Sequence, residues 1–185
     1  MPNQIPSFEE IKEVDRKLTE MRHQYYQNHD LFSFQWWFLL FTVIIPWVIW
    51  WKLVDKSRIK DILLYGFVLI FVIIVLDNIG SELQLWSYPY HLIHLIPQIN
   101  PVDYSVLPVF HMLVYQYFRT WKSFVIANIV MAFLFSFIFE PIFVWLRIYE
   151  LDNWKYIYSF PIYIAKALVV RWLIEFILKK AKGQR

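Results

Sequence analysis

The chain has 185 residues, 59% of them hydrophobic and 21% aromatic, with a formal net charge of +3. Average soluble domains are about 45–50% apolar, and here the excess is blocked, since neither Phe34 to Trp51 nor Ile62 to Leu76 holds a charge. Disulfides and thiolate metal sites are excluded by the absence of cysteine, and the short basic clusters between apolar blocks suit lipid headgroups rather than nucleic acid.

Residues 1–33 form a polar arm. Ser7 with Glu10 three residues on is a capping-box signature, and Phe8, Ile11, Val14, Leu18 and Met21 recur at spacings of three or four. The pattern predicts an amphipathic helix to about Tyr26, lying on a membrane or on its own bundle. The arm lacks the short apolar core of a secretory signal, so insertion is expected to rest on the spans themselves.

A hydrocarbon core about 30 Å thick takes roughly 20 helical residues to cross. On that scale residues 34–178 predict an all-α polytopic membrane helix bundle of about five transmembrane helices. The first span, 34–51, carries Trp36 and Trp37 at one end and Trp50 and Trp51 at the other, suited to the two interfacial belts, and Pro46 is expected to kink it. The second runs over 62–84. The third, 102–118, is short and interrupted by Asp103, Pro108 and His111, which leaves open whether it crosses fully. The fourth covers 123–145 and the fifth 156–178, with a basic tail over 179–185.

Lysine and arginine set the orientation. Lys52, Lys56, Arg58, Lys60, Arg119, Lys122 and the four basic residues of the tail make ten on one side, against six on the other, where the arm holds four, the 146–155 connection two and the 85–101 connection none. The positive-inside rule then puts the C-terminus in the cytoplasm and the N-terminus outside a cell membrane.

The end of the second span is unusually polar. At about 100° per residue, Gly66, Asp77, Gly80, Ser81 and Gln84 share one stripe, with Asn78 and Glu82 on an adjoining face. Small residues let a neighbour approach, and polar ones turn towards the bundle. Asp77 sits roughly 10 Å below the outer boundary, Glu140 roughly 8 Å, His111 roughly 14 Å and Lys166 roughly 15 Å, with Asp103 at the mouth of the third span. Unpaired charges at such depth are costly. These residues are therefore expected to face one another, with Lys166 as counter-cation for Asp77 or Glu140. Pro141 frees the carbonyl of Phe137 to join the same polar site. Arg171 and Glu175, one turn apart, are expected to pair structurally.

Three readings of Asp77, Asn78, Ser81, Glu82, Asp103, His111, Glu140 and Lys166 follow. The leading one is a non-enzymatic polar cluster for helix packing or small-ligand binding, with no catalytic residue and no cofactor. A transporter or channel subunit with a proton or cation relay is the alternative. A metal-dependent membrane enzyme comes third, with His91 and His94 as its candidate ligands, although no H-E-x-x-H motif supports it. Neither a glycine-rich phosphate loop nor a G-x-S-x-G elbow occurs. The expected partners are the lipid bilayer and another membrane protein or a second copy of the chain.

The segments "LDNIGSELQLWSYP", "LPVFHMLVYQYFRTWKSF", "FIFEPIFVWLRIY" and "NWKYIYSFPIY", spanning about residues 60 to 163, resemble a family of small uncharacterised multi-pass integral membrane proteins of Bacillus- and Clostridium-type spore-forming bacteria. The resemblance implies a helical protein of the cytoplasmic membrane. It carries no catalytic residues with it.

Overall fold

The structure, a computed structural model, describes residues 5–96 and 100–183. Arg185 of the predicted basic tail lies outside the described residues. The architecture is all-α, with eight helices and one two-residue strand pair among the described residues.

Helix α1 (Phe8–Tyr25) starts at the predicted capping box: the Glu10 N–H donates to Ser7 Oγ at 3.2 Å, and the Ser7 N–H donates to Glu10 Oε2 at 2.7 Å. The bond from the Ser7 backbone holds the Glu10 carboxyl below its ordinary range. None of its residues is buried, and the stripe from Phe8 to Met21 stands exposed. A π-helical turn (Tyr26–Asp30) ends the arm and buries Asp30 completely.

Three helices are long and apolar enough to cross a membrane: Phe34–Leu53, Lys56–Glu82 and Trp121–Trp145. The first is α2 (Phe34–Leu53), capped by the Ser33 hydroxyl on the Trp36 N–H. The second consists of a short 3-10 turn leading into α3 (Ile59–Glu82). The last joins α6 (Trp121–Leu134), a π-helical turn (Phe135–Phe139) and α7 (Glu140–Trp145). Pro141 accounts for that wide turn, because its ring conflicts with the carbonyl four residues back and it has no N–H to donate. One extra residue in the turn relieves the clash.

The segment expected as a single helix over 102–118 is two. Strand β1 (Trp86–Ser87) comes before α4 (Pro101–Tyr104), and Ser105 then breaks the helix at φ −129°, ψ −78° before α5 (Val106–Tyr117). Pro108 is the physical reason, since it removes the bond to Tyr104 that a continuous helix needs. The Ser105 hydroxyl instead donates to the carbonyls of Thr42 and Val43 on α2. At about 1.5 Å per residue α5 is only roughly 18 Å long. Strand β2 (Glu150–Leu151) precedes α8 (Tyr156–Gly183), which carries Lys166, Arg171 and Glu175 in its interior.

Helix α3 is central, packed on α5 and α8, with α6 against α8 and α5, its Phe124 ring edge-on to Tyr65 of α3, and α2 against α4 and α5. Tyr65 stacks on Tyr115 at 4.3 Å within a core that includes Leu69, Met112, Phe124 and Val170. Gly66 accepts Met112 where any Cβ would overlap its sulfur. The close neighbour on the small-residue stripe is thus a side chain, not a helix backbone.

The connections collect at two ends. At one, Arg171 donates to the carbonyls of Phe118 and Arg119, Arg119 reaches Asp55, and Gln116 bonds the backbone of Leu53 and Asp55. At the other, the arm, the 85–96 segment and the 146–155 segment meet. Trp86 pairs with Leu151 and Ser87 with Glu150, antiparallel, while Asp152 and Asn153 donate to the Leu85 carbonyl. Large apolar side chains are bare around the outside; Phe67 and Phe71 of α3 are 64% and 70% exposed.

Candidate functional site

Four ionisable side chains from four different helices line one cavity of about 200 Å³: Asp77 of α3, Asp103 of α4, Glu140 of α7 and Lys166 of α8. All four are at least nine-tenths buried. The remaining wall is largely apolar or aromatic.

Asp77 anchors the end of its helix to the following loop. Its Oδ1 accepts the indole N–H of Trp86 at 2.9 Å and the hydroxyl of Tyr88 at 2.5 Å. Gly80, one turn on, makes this possible, because the Trp86 ring lies where any Cβ would stand. Gln84, in the left-handed region at φ 54°, turns the chain back, and the Leu85 N–H closes on the Gly80 carbonyl.

Glu140 is held from α8. Its Oε1 accepts the Tyr163 hydroxyl at 2.9 Å and its Oε2 the Ser159 hydroxyl at 3.1 Å. Ser159 Oγ in turn accepts the Trp154 indole N–H at 3.0 Å, and Trp154 sits edge-on to Trp86 at 5.1 Å. Glu140 opens α7 directly after the wide turn, one residue before Pro141.

Asp103 occupies the short α4, whose start is capped by Asn100 Oδ1 on the Val102 N–H at 2.9 Å. The Asp103 N–H donates to the Asn100 carbonyl at 3.0 Å. Lys166 Nζ lies 4.1 Å from the centroid of the Tyr163 ring. Asp103, Glu140 and Asp77 are its electrostatic neighbours.

These charges surround the space without closing on one another. Among the described residues no carboxylate reaches ion-pairing distance of Lys166. Asp77 Oδ2 and Asp103 Oδ2 are buried with no hydrogen-bond partner there. In place of the expected Lys166 counter-ion pair, the lysine lies over the Tyr163 ring, whose hydroxyl donates to Glu140.

The Tyr88 and Tyr149 phenols of the cavity wall stay protonated. Burial, followed by the nearby Asp103 and Asp77, pushes the Tyr88 hydroxyl well above its ordinary range. Burial and then Glu140 do the same for Tyr149, whose ring lies 5.7 Å from that of Tyr88.

Other residues of the predicted cluster stand elsewhere. Asn78 donates back to the Ile74 carbonyl of its own helix at 2.8 Å. Ser81 is half-buried and Glu82 exposed at the end of α3, and neither lines the cavity. His111 is fully buried behind it, with Nδ1 on the Leu107 carbonyl at 2.8 Å. Its Nε2 has no partner among the described residues.

His91 and His94 belong to the junction with the arm. The Nδ1 and backbone N–H of His91 both meet Asp30 Oδ2 at 3.1 Å, His29 meets Asp30 Oδ1 at 2.9 Å, and His94 lies 3.3 Å from His23. Among the described residues no three His, Asp or Glu side chains group to hold a metal ion.

Sequence reasoning missed Asn100, Tyr149, Trp154, Ser159 and Tyr163 as cavity residues. The only signal was the density of aromatics in the two connections, and that density also suits a membrane interface. Comparison with protein-family models, with curated proteins and with solved structures finds no match to this chain.

Proposed function

We propose that this protein is a five-span integral membrane protein of a bacterial cytoplasmic membrane, with a non-enzymatic pocket for a small ligand near its outer face. In this reading α2, α3, the α4–α5 pair, α6–α7 and α8 are the five segments, the N-terminus lies outside and the C-terminus lies in the cytoplasm. The gathering of alternate connections at opposite ends of the molecule supports the alternation. The bare apolar surface supports lipid as its cover, since soluble monomers seldom expose contiguous apolar patches beyond a few hundred Å².

A single observation carries the ligand reading: Asp77 Oδ2 and Asp103 Oδ2 are orphaned around a cavity whose one lysine pairs with neither. Buried polar atoms are nearly always bonded, and each exception calls for an occupant or a role. A cluster serving only to lock helix register would bring the charges into contact.

Water access tests this. The chain has no cysteine, so Val106→Cys puts the only thiol on the cavity wall. In nanodiscs it is expected to react with methyl methanethiosulfonate on a time scale comparable to Ser57→Cys at the surface. A thiol that stays unmodified while Ser57→Cys reacts would mean a sealed packing cluster.

A further inference from the structure

We propose that the ligand is a small organic ammonium ion, bearing at least one N–H and an apolar body, that enters from the lipid side. The inference rests on the ligand-binding reading above and names the chemistry its site selects.

Charge sets the sign. Asp77, Asp103 and Glu140 face the cavity against Lys166 alone. With all four ionised the site is negative, and burying uncompensated charge is costly. An anionic ligand would deepen that imbalance. A cation removes it.

The unsatisfied atoms set the functional group. Both oxygens of Glu140 have donors, and Asp77 Oδ1 has two. The unsatisfied atoms are Asp77 Oδ2 and Asp103 Oδ2, which accept when their carboxyls are ionised. They call for N–H donors on the cation, so a primary or secondary ammonium fits and a quaternary one leaves them unmet. Aromatic faces near the charges add cation–π attraction, as Tyr163 already does for Lys166. A bare metal ion is poorly served, because the carboxylates are too dispersed to coordinate it together.

The wall sets the rest of the molecule and its route. Phe110 of α5, Phe135 and Phe139 all line the cavity, with ring centroids 5.7 Å and 5.3 Å apart in sequence. Phe110 and Phe139 are also exposed on the outer surface. The seam between α5 and the π-helical turn is thus closed by rings, which rotate aside more readily than backbone moves. In a bilayer that seam faces the acyl chains. About 200 Å³ has room for one aromatic ring and a short tether, since a dry cavity of about 150 Å³ takes benzene.

Three near-isosteres separate the possibilities: 2-phenylethylammonium, 2-phenylethanol and phenylacetate, titrated calorimetrically into the full chain in nanodiscs. The ammonium is expected to bind at least tenfold more tightly than the alcohol, with phenylacetate not binding. Asp103→Asn is expected to weaken the ammonium about tenfold, and Lys166→Met to tighten it by removing the competing cation. A gain of affinity needs a folded site, so the second variant guards against misfolding in the first. Equal affinity for the alcohol, as expected if the carboxyls hold protons instead, overturns the ammonium assignment. So does tighter binding of phenylacetate, or no binding of any of the three while Val106→Cys stays reactive. An unreactive Val106→Cys overturns the pocket itself.

Discussion

The hydroxyl of Tyr88 donates to Asp77 Oδ1 at 2.5 Å, tying the loop after α3 to the last turns of that helix. A hydrogen bond to a charged partner contributes about 1.5–3 kcal/mol. Tyr88→Phe keeps the ring and removes the donor, so it is expected to destabilise by about that amount. Thermal unfolding in detergent reads the loss, and an unchanged midpoint would show that Trp86 alone holds Asp77.

Gly80 and Gly66 look equivalent in sequence and are not equivalent in space. Added methyl groups would meet the Trp86 ring and the Met112 side chain respectively. Trp86 is rigid and bonded to Asp77, whereas Met112 is unbranched and adapts. Overpacking costs about 1–3 kcal/mol, with Gly80→Ala expected at the upper end and Gly66→Ala at the lower. Only Gly80→Ala should also alter ligand binding, because it displaces a residue of the cavity wall.

At the opposite end Arg171 is 4% exposed and donates to the carbonyls of Phe118 and Arg119 and to Glu175. Lysine lacks the planar fork that reaches all three. Arg171→Lys is expected to cost about 1.5–3 kcal/mol through the lost carbonyl bonds. Glu175, partly exposed, is expected to contribute under about 1 kcal/mol, so Glu175→Gln should be nearly silent. Equal losses in the two variants would mean that the ion pair, not the carbonyl bonds, is what matters.

Topology is open to the same thiol chemistry. Leu95→Cys, at an exposed position in the loop after α3, is expected to react with an impermeant maleimide added to intact cells. Ser57→Cys is expected to react only after permeabilisation. Labelling of both from the same side would rule out the alternating five-span arrangement.

Much of this was legible in the sequence, for physical reasons that differ from residue to residue. Ser7 with Glu10 announces a helix start because both bonds are local. The inward turn of Asp77, Glu140 and Lys166 follows from the cost of placing charge against lipid. The break at Ser105 was foreshadowed by Pro108 but not located, since a short proline-bearing segment can kink or stop. Trp86 filling Gly80, and the pairing of residues 86–87 with 150–151, depend on contacts between distant segments. No local pattern encodes those. The same holds for Lys166, whose depth predicted a carboxylate partner and which lies over the Tyr163 ring.

On the proposed function, Asp77 and Lys166 border a binding cavity and do not form a structural ion pair. A double-mutant cycle with Asp77→Asn and Lys166→Met, read by thermal stability of the purified protein, tests it most directly. Asparagine keeps an oxygen for Trp86 and Tyr88 and replaces the orphaned Oδ2 with a neutral group. Asp77→Asn is expected to be at least as stable as wild type, with a coupling energy to Lys166→Met below about 1 kcal/mol. Losses of about 3–5 kcal/mol in each single variant, largely recovered in the double, are the mark of a broken buried pair and would contradict it.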